Sequence, residues 1–215
     1  MRSVMSPSLK LILNASPQQF DQLRRLQTEF SAACNAIAPI AQSNRCWNRV
    51  ALHHLAYREL RTRFPQLGSQ MACNAIYSVA RTYRAVLQHK KSPWNIEARP
   101  NQPLPLICFT DKAPVYFDRH TLSLKNGMLS MYTLDGRMRF ELNLAIADAH
   151  RFGHEKIREI VLLCVGSNFV LQVWLDEKSA LPDTESPGDL PEYLLITQPV
   201  IAPAALPILA VPLVA

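Results

Sequence analysis

A proline-rich stretch at residues 92–105 rules out a fold made of one kind of secondary structure, because the hydrophobic period differs on its two sides. Pro93, Pro100, Pro103 and Pro105 each lack a backbone N–H, so a helix entering this stretch cannot run through it. Before it, apolar residues recur mostly at three- and four-residue spacing, which marks one face of a helix. After it they fall in short runs separated by turn residues, the pattern of strands. The chain is therefore predicted to be α+β, with the helices and strands largely segregated along the sequence.

The exception on the early side is residues 9–13, Leu-Lys-Leu-Ile-Leu, whose length and flanks suit a strand. A helix is predicted immediately afterwards, with Ser16 as cap, Pro17 at the first helical position and Gln19 completing a capping box. Phe20, Leu23, Leu26, Phe30, Cys34 and Ile37 form its buried stripe, Arg24 and Arg25 stand near the edge, and Pro39 is expected to end or kink it. A second helix is predicted over residues 48–64, with Val50, Leu55 and Leu60 inward and Arg58, Arg61 and Arg63 supplying charge before Pro65. A third follows Gly68 with Ser69 as cap and Ala72, Ile76, Val79, Tyr83 and Val86 inward. Tyr77, Arg81, Arg84, Gln88 and Lys91 repeat close to the helical period on another face, which predicts a cationic ridge containing one aromatic ring.

Strands are predicted at residues 106–110, 115–117, 121–124, 128–133 and 137–144, with a last pair at 157–165 and 169–175 around Gly166-Ser-Asn. Asp118-Arg-His, Lys125-Asn-Gly and Asp135-Gly carry the turn chemistry between them. Short strands at this spacing suit a closed barrel or a sandwich. Residues 179–215 differ in kind: they contain seven prolines and no Lys or Arg. Pro199, Pro203, Pro207 and Pro212 would repeatedly break a membrane helix there, so no membrane partner is expected and the tail reads as a disordered or adventitious end.

Charge is as unevenly distributed as structure. Up to Pro105 there are 14 Lys+Arg against 4 Asp+Glu, and beyond it 9 against 13, so the two parts carry +10 and −4. Clustered cations of this kind suit a polyanionic partner, while a solvated basic face is the plainer alternative. Cys34, Cys46, Cys73, Cys108 and Cys164 are spread singly, which fits packing residues in a reducing cytoplasmic setting better than a zinc knuckle or a disulfide framework.

Few residues suggest catalysis. His53 and His54 are adjacent and point apart on a helix. His150 and His154 have i, i+4 spacing with Asp148 and Glu155 nearby, but the intervening residues do not match HExxH, and Gly153 argues against a stable helix. No Gly-rich phosphate loop and no Gly-x-Ser-x-Gly elbow occurs. Asp176, Glu177, Asp183, Glu185 and Asp189 lie in a loop-like region, where solvation is the default reading rather than metal-assisted cleavage. No catalytic residue, metal ligand or cofactor is assigned.

Several segments carry a resemblance. Phe30-Ser-Ala-Ala-Cys-Asn-Ala-Ile, Leu52-His-His-Leu-Ala-Tyr-Arg-Glu-Leu-Arg and Phe64-Pro-Gln-Leu-Gly-Ser-Gln-Met-Ala resemble the N-terminal region of TnpB-type (OrfB) transposon proteins. Ala75-Ile-Tyr-Ser-Val-Ala-Arg-Thr-Tyr-Arg, Val115-Tyr-Phe-Asp-Arg-His-Thr-Leu-Ser-Leu and Leu129-Ser-Met-Tyr-Thr-Leu-Asp-Gly-Arg continue it. The matches span roughly residues 9–176, with Leu67-Gly-Ser-Gln-Met and Thr-Leu-Asp-Gly-Arg the more specific parts.

That family consists of RNA-guided DNA endonucleases, so the resemblance implies a wedge-like, OB-like antiparallel barrel interrupted near its N-terminus by a three-helix insertion. Residues 1–14 would hold the first barrel strand, 15–92 the helical recognition lobe, 93–178 the barrel and 179–215 the Pro/Ala-rich tail. The family's nuclease core, with its Gly-x-Asp-x-Gly strand, later acidic residues and paired cysteines, has no counterpart here. The expectation is a fragment that binds structured RNA, DNA or a guide–target heteroduplex without cutting, through Arg58, Arg61, Tyr77, Arg81, Arg84, Lys90 and Lys91. The alternatives are an interaction module for a separate nuclease subunit in trans, and the product of a decayed transposon gene.

Overall fold

The computed structural model describes residues 8–175 and 191–197. Strand β1 (Ser8–Leu13) leads into the long helix α1 (Pro17–Ser43), followed by α2 (Arg49–Arg63), a short 3-10 turn at Pro65–Leu67 and α3 (Gly68–Gln88). Strands β2 (Leu106–Phe109), β3 (Val115–Phe117), β4 (Leu122–Lys125), β5 (Met128–Thr133) and β6 (Gly136–Glu141) come next. Helix α4 (Ile146–His154) then precedes β7 (Ile157–Val165), β8 (Asn168–Leu175) and β9 (Leu194–Thr197).

The start of α1 follows its local chemistry. Ser16 accepts the Gln19 backbone N–H, the Gln19 side chain returns to the Ser16 N–H, and Pro17 occupies the first turn. Pro39 does not end the helix, which continues to Ser43. Ala38 and Ala41 on either side are fully buried, and Tyr83 donates its hydroxyl to the Ala38 carbonyl at 3.1 Å, so tertiary packing overrides the proline. Helix α3 starts without the Ser69 cap: no side chain caps it, and its reversal from α2 depends on Gly68 at φ 65, a left-handed conformation that a side chain would strain. Helix α2 buries Leu52, Ala56 and Leu60, whereas Val50 and Leu55 are 66% and 46% exposed, against the inward placement expected for them. The i, i+4, i+8 spacing of the buried set, not the bare presence of an aliphatic residue, selects the inner face.

The described strands form three antiparallel sheets: β1-β8-β7-β3, β4-β5-β6 and β2-β9. No closed barrel forms among them, because the hydrogen bonding stops at the edges of each sheet instead of continuing around. Alternation is clear in the four-stranded sheet, where Leu9, Leu11 and Leu13 of β1 oppose Val173, Leu171 and Phe169 of β8 and all six are buried. Phe20 of α1 packs its ring 5.0 Å from that of Phe169. The β4–β5 hairpin turns through Asn126 and Gly127, both at positive φ, as Lys125-Asn-Gly predicts.

Two expectations about the later chain are corrected. Gly153 does not prevent a helix, since α4 spans it and buries Phe152 and Arg151. The region expected to be a disordered tail contributes β9, which pairs with β2 and buries Leu194; the tail other than residues 191–197, with the acidic residues 176–189, lies outside the described residues.

The buried side chains of helices and sheets form one cluster that runs across residues 92–105. Amides on the helices bind backbone that the sheets leave unpaired. Asn35 Nδ2 donates to the Phe109 carbonyl at 2.8 Å while its Oδ1 accepts the Phe109 N–H at 2.7 Å. Gln42, Gln27 and Asn74 donate likewise to the carbonyls of Leu104, Ala113 and Tyr116. Since a buried backbone group without a partner is costly, these amides decide where the segment from 104 to 116 lies on α1 and α3.

Candidate nucleic-acid interface

Helices α2 and α3 lie side by side, and two rows of side chains meet along their seam. Arg49, His53, Tyr57 and Arg61 follow one another at four-residue spacing on α2, as do Cys73, Tyr77 and Arg81 on α3. The Arg49 guanidinium stands over the Tyr77 ring at 5.3 Å, and the His53 and Tyr57 rings stack at 4.5 Å. Burial pushes the Cys73 thiol up, which Arg49 and Arg61 oppose and Asp118 reinforces, so the thiol stays protonated between charges of both signs. The Arg61 guanidinium also donates to the Pro65 carbonyl at 3.4 Å.

The seam ends in a half-buried polar cluster. Arg81 Nε lies 2.8 Å from Glu159 Oε1, and the Tyr77 hydroxyl donates to the same oxygen at 3.3 Å. Tyr116 packs edge-on to Tyr77 at 5.7 Å, with the Arg81 guanidinium 5.9 Å from its centroid. Glu159 lies beside a register shift between β7 and β8, and two residues before Val161, the partner of Tyr116, so strand alternation puts its carboxylate on the Tyr116 face. Burial raises the carboxyl of Glu159 above its ordinary value, although Arg81 and Tyr77 pull it down. Burial works against the charge on Arg81 but is outweighed by Tyr116 and Glu159, which raise its pKa. The phenols of Tyr77, Tyr116 and Tyr193 are all pushed up, chiefly by burial.

The residues singled out from sequence therefore separate into two groups. Tyr77 and Arg81 are joined to Glu159 and do not form a solvent-facing ridge with Arg84. Arg58 on the outer side of α2 and Arg84 on α3 are exposed, and neither has a carboxylate partner among the described residues. Lys90 and Lys91 lie beyond the end of α3 at Gln88, in a turn where the Lys91 N–H donates to His89 Nδ1, and they too are exposed and lack an ion pair. Arg49, Tyr116, Tyr193 and Glu159 were not anticipated. The four-residue repeat of Arg49, His53, Tyr57 and Arg61 was readable in the sequence; the meeting of Glu159 with α3 depends on the pairing of β7 with β3, which no local pattern reveals.

Among the described residues, no group of three or more His, Cys, Asp or Glu side chains is arranged to hold a metal ion. The His150 and His154 rings lie 4.3 Å apart on α4 with their planes tilted by 35°, while Glu155 pairs with Arg151 at 3.1 Å. All five cysteines are free. No helix among the described residues is long and apolar enough to cross a membrane.

Fold and surface define an α+β protein with antiparallel sheets whose helical hairpin carries exposed cations free of carboxylate partners among the described residues. No protein-family model matches this chain, and none of the curated proteins is significantly similar to it.

Proposed function

We propose that the chain binds nucleic acid through its helical hairpin, as the N-terminal fragment of a TnpB-type RNA-guided nuclease that holds guide RNA or an RNA–DNA heteroduplex without cleaving it. The observation that carries this reading is the set of cations on and next to α2 and α3 without carboxylate partners among the described residues: Arg49, Arg58, Arg61, Arg84, Lys90 and Lys91. Carboxylates that could neutralise them are scarce in this half, where Glu59 already pairs with Arg63. Phosphates supply the missing countercharge, and release of condensed cations from the nucleic acid drives the association. The resemblance of the segments at residues 30–37, 64–72 and 129–137 adds the guide-RNA context. In this reading the four-stranded sheet and its neighbours correspond to the wedge-like barrel, and the seam holds the hairpin rigid.

Binding to a structured RNA, duplex DNA and single-stranded DNA is measured across a salt series for the native chain and an Arg58→Ala/Arg84→Ala/Lys90→Ala/Lys91→Ala variant. RNA affinity that falls steeply with salt and is weaker in the variant is the expected outcome; absence of binding to all three refutes the reading. Metal-dependent cleavage by the pure chain would refute its non-cleaving part. One observation favours a second reading: Val50 and Leu55 are exposed on the α2 face that also carries Arg58, which suits docking of a protein such as a nuclease subunit in trans. Partner binding that resists salt distinguishes this reading, because apolar contacts lack counterion dependence.

A further inference from the structure

The turn joining α1 to α2 faces the last turns of α3 across an open cleft of about 460 Å³, within the size range of small-ligand sites. Arg45, Trp47, Asn48, Arg84 and Gln88 line it, and no carboxylate does. The turn is held from within: the Cys46 N–H donates to the Ala41 carbonyl at 2.9 Å, and Asn48 Oδ1 accepts the Val50 and Ala51 N–H groups at 2.9 and 3.1 Å. Arg45 adopts φ 47 as the left-handed residue of the Schellman cap that ends α1, its N–H donating to the Gln42 carbonyl at 3.1 Å, and its Nη1 donates to the Gln102 carbonyl at 3.5 Å. Arg84 has no hydrogen-bond or ion-pair partner among the described residues. The half-buried Trp47 packs against the core, and no other ring among the described residues stacks on it.

We propose that this cleft binds one unpaired nucleotide of a nucleic-acid strand, with its phosphate between Arg45 and Arg84 and its base against the Trp47 indole. The inference rests on the nucleic-acid-binding reading and adds a defined subsite to it. Two guanidinium groups with no acid between them select an anion, and their planar forks match phosphate oxygens. An indole in the wall of the cleft offers a stacking surface that any base can use but that a base inside a duplex does not present. Asn48 and Gln88, whose amides can donate to the edge of a base or to the sugar, line the same cleft.

The test makes Trp47 the sole tryptophan, through Trp94→Phe/Trp174→Phe, and follows its fluorescence during titration with a single-stranded oligoadenylate, adenosine monophosphate and inorganic phosphate. Anisotropy of the labelled oligoadenylate is recorded in parallel. The expected result is quenching by the oligonucleotide at the concentrations where anisotropy rises, weaker quenching by the mononucleotide and none by phosphate. Arg45→Ala/Arg84→Ala should lower oligonucleotide affinity at least tenfold and remove the quenching. A rise in anisotropy with unchanged Trp47 emission overturns the subsite and leaves the nucleic-acid reading standing. Quenching by the mononucleotide with no strand binding overturns the strand proposal in favour of a free-nucleotide site, and no response to any ligand overturns the subsite, while the salt series with structured RNA and duplex DNA decides the nucleic-acid reading separately. If the double phenylalanine variant does not unfold cooperatively, the difference in quenching between the native chain and Trp47→Phe supplies the same readout.

Discussion

Asn35 shows how much of the architecture depends on single polar side chains. Its amide satisfies both the N–H and the carbonyl of Phe109, as a neighbouring strand would, and so fastens β2 to α1. Asn35→Ala leaves both groups without that partner and should cost about 1–3 kcal/mol, measured by urea denaturation as a lower midpoint with an unchanged slope. Glu159 gives a prediction in pH. Burial raises its folded-state pKa above the ordinary 4.5, so the folded chain keeps this proton to higher pH than the unfolded chain does. The stability this group contributes is present below 4.5 and is lost as pH rises through the raised folded value. Stability of the native chain relative to Glu159→Gln should therefore fall across that window and then level off. Urea titrations from below pH 4.5 to neutrality measure it, and a relative stability that rises with pH would contradict the assignment.

Element by element, local signals worked best where a helix or hairpin begins. The Ser16–Gln19 capping box and the Asn126–Gly127 turn are short-range chemistry, and they appear where Ser-Pro-Gln-Gln and Lys-Asn-Gly place them. The faces of α2 and the end of α1 were less legible, because Val50, Leu55 and Pro39 are judged by what packs around them and not by their own propensities. The same holds for β9, four residues whose place in the fold comes from pairing with β2 some ninety positions earlier. Deleting residues 191–215 should unpair β2 and expose the site of Leu194, costing roughly 2–3 kcal/mol from lost apolar burial and ladder bonds. A thermal scan should show a fall of about 4–12 °C, and Leu194→Asp in the full-length chain should shift the transition in the same direction.

For the whole molecule, the proposed reading has the net charge of +10 up to Pro105 draw a polyanion to the helical side. The slope of log affinity against log salt counts the phosphates engaged, about 0.7 per contact for single strands. Arg58→Ala and Arg84→Ala should each reduce the slope by about that amount. Arg81→Ala should leave the slope nearly unchanged and instead lower stability, because Arg81 is committed to Glu159. Equal loss of slope in all three variants would show that Arg81 also engages phosphate.

The sequence by itself determined the period change at residues 92–105, the α+β class, most helix and strand positions and the segregation of charge. These are readable because capping, turn formation, hydrophobic period and net charge act over a few residues or depend on composition alone. Only the tertiary structure decided that the strands divide into three sheets, that β9 completes one of them, and that Tyr77 and Arg81 turn onto Glu159 while Arg84 joins Arg45 and Trp47 at a cleft. Those outcomes depend on partners up to more than a hundred residues apart, such as Ser8 and Trp174, which leave no local pattern in the chain.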